Sequence, residues 1–268
     1  MVGTKLIPGR YSPRFAAGFG WYARRLIAKS FHAARLARGS DRALREIGTH
    51  DGPVIIALSH ASWWDPLIAV LLGRTFMPDR AGCAPMDATQ LRKFGFFRRL
   101  GLFGIDPDAP ESLEAMRGYV EARFRENPRT TLWLTPQGRF ADPRAEIVVR
   151  PGAAAIAAAT PACRVLAVAV EYAFWLDKKP EVFVRCVPVG AAGSTTAWQR
   201  AILAAMRENA AALAGLVIAR DPAAFEVLLE SGPGINPVYD AWQRAKGASS
   251  AIDSARVTSG AQTPGSGA

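Results

Sequence analysis

Compact apolar runs alternate with segments of helical period from about residue 50 onward, and the two patterns lay out most of the chain. Val54 to Leu58 is an apolar run after the turn signal Asp51-Gly52-Pro53 and is predicted to be a buried strand. Further strands are predicted at 102–105, 130–134, 165–172 and 182–187, with helices over 66–72, 111–126 and 151–159. The first of these helices has Asp65 at its cap and Pro66 at its first position, where a missing N–H costs nothing. After Pro188 the pattern turns helical again, over 195–218 and from Pro222 to Leu229. Strand alternating with helix predicts an α/β fold, a mixed central sheet flanked by helices, with helical regions at both ends.

Residues 10–45 carry nine Lys or Arg against one Asp, interleaved with Phe15, Phe19, Trp21, Tyr22 and Phe31. Phe15, Phe19, Tyr22 and Leu26 follow the spacing of one helical face, while Arg14, Arg25 and Lys29 fall elsewhere round the wheel. A basic amphipathic helix is expected. It either lies among lipid headgroups, aromatics inward, or packs on its own domain with a solvated basic face. The expected division is an N-terminal amphipathic, membrane-associating helical region over 1–48, an α/β domain over 49–246 and a disordered tail over 247–268, where Gly, Ser, Ala and Thr dominate.

Charge narrows the partners without choosing one. Lys and Arg number 33 against 23 acidic residues, a formal net charge of +10, which favours anionic lipid headgroups, nucleic acid or a phosphorylated small molecule. No nucleic-acid reader motif occurs, so nucleic acid is not expected. Cys83, Cys163 and Cys186 are scattered among apolar neighbours, unlike a disulfide framework, and fit a reducing compartment. Pro8, Gly9 and Pro13 interrupt the stretch where a signal peptide would have its apolar core. The most apolar stretches, 53–73 and 152–170, are broken by His60 and Asp65 and by Pro161 and Arg164, so neither is predicted to span a membrane. A peripheral location on the cytoplasmic face of a membrane is the expectation.

Of the three histidines, His32 and His50 fall in the basic segment and a polar turn, whereas His60 directly follows the strand 54–58, within Ser59-His60-Ala61-Ser62-Trp63-Trp64-Asp65-Pro66. Imidazole, with an ordinary pKa of about 6.5, accepts a proton near neutral pH. Asp65 begins the next helix, within reach of the second ring nitrogen, where a carboxylate would fix the tautomer and stabilise the imidazolium. A plain helix cap beside a hydrogen-bonded loop histidine is the bland alternative. Pro136-Gln137-Gly138 ends an apolar strand in a turn whose Gly permits close approach to a ligand, and Arg139 supplies a planar fork for phosphate or carboxylate, or else pairs with Asp142. Gln137 carries no charge, so binding is its expected task. Arg150, before Pro151-Gly152 and an Ala-rich helix, is a candidate to direct a phosphate to a helix N-terminus. Trp63 and Trp64 either pack an acyl chain, dip into a bilayer or belong to the core. Lys93, near Met86, Phe96 and Phe97, is a candidate flank of the acceptor site. No spacing of metal ligands is evident, so no metal is expected.

In this order, from about residue 50 to 175, these segments resemble the glycerolipid acyltransferase family that includes bacterial 1-acylglycerol-3-phosphate acyltransferases. The His-x4-Asp block is His60 and Asp65. Gly101-Leu102-Phe103-Gly104-Ile105-Asp106-Pro107 is similar to a second block, with Pro107 where the family has Arg. Thr135-Pro136-Gln137-Gly138-Arg139-Phe140 is similar to Phe-Pro-Glu-Gly-Thr-Arg-Ser, with Gln137 for Glu and one residue fewer before Arg. In the fourth block, residues 165–172, Ala167 replaces a central Pro. The resemblance implies an acyltransferase of lipid metabolism in which His60, oriented by Asp65, is general base. It would move a fatty acyl group from acyl-CoA or acyl carrier protein, a co-substrate with no cofactor needed, to a hydroxyl of a lysophospholipid or related lipid. The departures leave open a non-phosphate acceptor, such as a glycosylated terpenoid or a lyso-amino-acid lipid. They also leave open a non-catalytic membrane-lipid-binding protein on this scaffold.

Overall fold

Strands that are apolar on both faces require helices on both sides, and the chain supplies them. The computed structural model describes residues 6–109, 111–175 and 177–231. Its elements are α1 (Pro13–Ser30), β1 (Ala33–Ala37), α2 (Ser40–Gly48), β2 (Val54–Leu58), α3 (Asp65–Phe76), β3 (Ala81–Asp87), α4 (Ala88–Lys93), β4 (Leu102–Ile105), α5 (Glu111–Glu126), β5 (Thr130–Leu134), α6 (Gly152–Ala159), β6 (Arg164–Ala173), β7 (Glu181–Val189), α7 (Thr195–Ala219) and β8 (Phe225–Glu230). Short 3-10 turns cover Gly95–Leu100 and Pro222–Ala224.

The described strands make one mixed sheet in the order β4-β3-β5-β2-β6-β7-β1-β8. The first five run parallel, β7 is antiparallel to β6, β1 is parallel to β7, and β8 is antiparallel to β1. Alternation along β2 divides the core in two. Val54, Ile56 and Leu58 join Ile27, Leu44, Ile68 and Leu72 of α1, α2 and α3. Ile55 and Ala57 join Val120, Ile156 and Ile202 of α5, α6 and α7 on the other face. The fold is therefore α/β, with the sheet as the middle of three layers. Helix α7 is long and apolar enough to cross a membrane, yet it lays a buried stripe of Trp198, Ile202, Met206, Asn209, Leu213 and Val217 towards β6 and β7.

Each predicted strand forms within two residues of its expected bounds, as do the helices at 111–126, 151–159 and 195–218. Helix α3 starts one residue earlier than expected and runs on to Phe76, which places Trp64 rather than Asp65 at the N-cap. Three segments depart further. Ala33–Ala37, inside the basic segment expected to be helical throughout, is a strand between β7 and β8, because that slot buries both of its faces. The described part of the expected N-terminal region thus does not stand apart from the α/β domain: its strand joins the same sheet. In place of a second C-terminal helix, residues 225–230 form β8, burying Phe225 and Leu229. Strand β3, which contains Gly82 and Pro85, was not expected at all and is held by parallel neighbours on both sides. The tail expected from residue 247, and the expected end of the domain from 232, lie outside the described residues.

Helix α1 starts as expected for Ser12-Pro13: the Ser12 hydroxyl accepts from the Phe15 N–H, and Pro13 sits in the first turn. The face it buries is Ala16, Ala23 and Ile27, one position off the aromatic row. Gly20 shares that face, and a Cβ there would come within 2.9 Å of Arg74 Cγ on α3, so small residues set how closely the two helices approach. Phe15, Phe19 and Leu26 are left half-buried at its border, and Tyr22 is exposed.

Candidate active site

The C-terminal ends of β4, β3, β5, β2 and β6 share one edge of the sheet, where open α/β folds place ligands. His60 leaves the end of β2 there. Ser59 carries the β2–β6 pairing one step further, donating its N–H to the Val168 carbonyl and accepting the Val170 N–H on its hydroxyl, both at 2.9 Å. That hydroxyl is buried and engaged with the β6 backbone. His60 Nδ1 lies 2.9 Å from Asp65 Oδ2, which also accepts the Ser62 N–H at 2.8 Å. Asp65 is 0% exposed and stands in the first turn of α3, where the positive end of the helix dipole favours its charge. Its other oxygen, Oδ1, accepts a hydrogen bond from the Tyr172 hydroxyl at 2.7 Å. Burial, and then the Asp65 carboxylate beside it, push the Tyr172 pKa upward, so the phenol keeps its proton and donates.

His60 Nε2 has no partner among the described residues, and it reaches solvent: Arg117 Nε is the one buried side-chain polar atom there without a hydrogen bond. The segment after β5 frames the ring. Gln137 Oε1 accepts the His60 N–H at 2.9 Å, the His60 carbonyl accepts the Ala141 N–H at 2.9 Å, and the Phe140 ring lies 4.1 Å from the imidazole centroid to centroid. An ion pair from Arg144 to buried Glu171 of β6 fastens the same segment farther along.

Gln137 therefore holds the His60 loop with its oxygen, in addition to whatever its amide N–H2 binds. Gly138 has φ +67°, in the left-handed region, and a Cβ there would fall 2.6 Å from Arg150 Nε. Arg150 lies across that glycine and donates to the Pro107 carbonyl at 2.6 Å, with Asp108 at 3.8 Å. Pro107 and Gly138, from two separated sequence blocks, are thereby joined through Arg150, which spends one of its N–H groups inside the protein. Arg139 is exposed and does not pair with Asp142, whose carboxylate accepts the Arg144 N–H instead. The two tryptophans separate: Trp63 is 68% exposed, whereas Trp64 packs on the core with its ring edge-on to Phe31 at 4.9 Å. Trp64, half-buried, matches the core reading of the pair. Lys93 is exposed on α4 with no contact to the dyad.

Sequence reasoning missed Tyr172 and Phe140. Tyr172 lies 107 residues from Asp65 in the chain, and no local spacing announces it. Phe140 was visible as an aromatic beside Arg139 but carried no sign of its stacking. Burial pushes the thiols of Cys83 and Cys163 up to about 12, and that of Cys186 up as well, so none is an activated nucleophile. Among the described residues no three His, Cys, Asp or Glu side chains cluster as a metal site would require. Two cavities of about 320 and 270 Å³ share Cys163, Ala191 and Trp198 in their walls, at the opposite edge of the sheet from His60. No family model matches the chain, nor does any curated protein.

Proposed function

We propose that this protein is an O-acyltransferase that moves a fatty acyl group from an acyl thioester to a hydroxyl of a lysophospholipid or related lipid at a membrane surface. The observation that carries the reading is the His60–Asp65 pair: Nδ1 held at 2.9 Å by a fully buried carboxylate, with Nε2 turned to solvent. The acceptor hydroxyl donates to Nε2 and gives up its proton as its oxygen bonds to the thioester carbonyl carbon. Asp65 fixes the Nδ1–H tautomer that leaves Nε2 basic and stabilises the imidazolium that forms. The tetrahedral intermediate then expels the thiolate, which takes the proton from His60, leaving an ester and a free thiol. Acyl-CoA and acyl carrier protein are both suitable donors, and no cofactor takes part. The catalytic dyad would thus be His60 and Asp65, with Gln137, Gly138, Arg139, Arg150, Trp63 and Lys93 as the residues around the substrates.

The test is direct. Purified protein is incubated with labelled acyl-CoA or acyl carrier protein and a panel of lysolipids, and thiol release is followed beside His60→Ala. Thiol release that requires both the acceptor and His60 is expected; equal release by the folded variant sinks the reading. A second reading is favoured by Pro107 and by the engagement of Gln137 with the His60 backbone: a lipid-binding protein without turnover. It predicts liposome binding and no thiol release with any acceptor. A glycosylated terpenoid or lyso-amino-acid lipid belongs in the acceptor panel, because Pro107 removes a cation that would meet a phosphate monoester.

A further inference from the structure

The fold buries the small-residue face of α1 and leaves its aromatic row outside, where a second element extends it. Phe19 meets Tyr22 at 5.8 Å and, from the 3-10 turn after α4, Phe96 at 6.5 Å and Phe97 at 6.2 Å. Phe94 closes on Phe97 at 6.2 Å. Much of this cluster faces water: Tyr22 is 51%, Phe94 47% and Phe96 46% exposed, and Trp21, farther round α1, is 65% exposed. Cations sit on its rings, with the Arg99 guanidinium 5.4 Å from Phe15 and that of Arg25 5.0 Å from Trp21. Neither Pro13–Ser30 nor residues 88–100 contain a single acidic side chain, while each contributes four Lys or Arg.

Exposed aromatics amid unopposed positive charge demand a partner that is anionic at its surface and apolar just beneath. A lipid bilayer is layered in that way. An acidic protein would satisfy the arginines and leave the aromatic tips in water. We infer that α1 and the turn Gly95–Leu100 together form a docking surface for an anionic bilayer. Trp21, Tyr22, Phe94 and Phe96 seat at the boundary of headgroups and acyl chains, and the surrounding Arg and Lys meet lipid phosphates. The surface is joined to the dyad, because α1, about 27 Å long at 1.5 Å per residue, ends at Phe31 against Trp64 of the His60 loop. The inference deepens the acyl-transfer reading by naming where its lipid would be met, but its test requires no turnover.

The full chain is floated with vesicles of phosphatidylcholine alone or with about one-third phosphatidylglycerol. Binding to the anionic vesicles only is expected. The triple variant Trp21→Ser, Phe94→Ser, Phe96→Ser should bind at least ~10-fold more weakly, as should Arg14→Glu, Arg25→Glu, Arg99→Glu. The control Val148→Ser, Val227→Ser, equally exposed elsewhere, should bind like wild type, with thermal melts establishing that each variant is folded. His60→Ala should also bind like wild type, so that failure of the chemistry and failure of the docking are told apart. No binding of wild type to anionic vesicles, or unweakened binding by the aromatic variant, overturns the inference. So does a result in which the substitutions abolish self-association or binding of an acidic carrier protein while vesicle binding persists.

Discussion

A buried charge stands at each edge of the parallel strands, Arg80 at one and Asp65 at the other, and the two are used differently. At the N-terminal edge Arg80 is 5% exposed. Its Nε donates to Thr131 Oγ1 at 2.8 Å, one terminal nitrogen to the His50 carbonyl, and the other to the carbonyls of Gly52 at 2.8 Å and Thr130 at 3.1 Å. Burial, with Arg129 nearby, lowers its pKa to about 10. That network closes on itself and ties the starts of β2, β3 and β5 together. At the C-terminal edge Asp65 is equally well satisfied, but its network runs through an imidazole whose far nitrogen meets solvent. A closed polar network secures the fold; an open one leaves a proton acceptor aimed outward.

The contrast breaks down if the two sites respond alike to truncation. His60→Ala should lower thiol release by ~10³-fold, within the range a positioned base supplies, while urea unfolding barely moves. Arg80→Met should do the reverse, costing ~3 kcal/mol by stranding a hydroxyl and three carbonyls, with turnover per folded molecule unchanged. Gly138→Ala should cost ~1–2 kcal/mol for a left-handed residue and for moving Arg150 aside, and should reduce turnover along with stability.

Tyr172→Phe gives the smallest effect: a fall of ~5-fold in kcat, about 1 kcal/mol and the net worth of one ordinary hydrogen bond, with KM held. It also has a signature in pH. The folded state holds the phenolic proton above its ordinary pKa, so the stability this group contributes is complete below pH about 10 and is lost as pH rises further, by up to ~1.4 kcal/mol per pH unit. Urea unfolding between about pH 8 and 11 should show that loss in wild type and a shallower one in the variant.

The dyad was legible because its partners are local: a strand end, four intervening residues and a helix start leave few ways to arrange His60 and Asp65. The central strands were legible because both faces of β2 and β6 are apolar. What could not be read was decided by distant pairing. Ala33–Ala37 has weak strand preference and sits in a run of helical period, and only β7 and β8 make it a strand. Phe225, Val227 and Leu229 do alternate, but the Asp221-Pro222 helix-start signal is spent on a single 3-10 turn. The aromatic spacing of α1 marked a real stripe; that a neighbouring row of small residues would take the core depends on α3. Likewise the Gln137 contact to the His60 backbone spans 77 residues, beyond the reach of motif spacing.

The position of β1 has a consequence for the order of assembly. Among the described strands it pairs with β7 and β8, which begin at Glu181 and Phe225, far along the chain from Ala37. On the ribosome Ala33–Ala37 must therefore wait, unpaired, until nearly all of the sheet has emerged, although α1 before it can already pack on α3. The last strand to find its place in the sheet is thus one of the first to be made among those described.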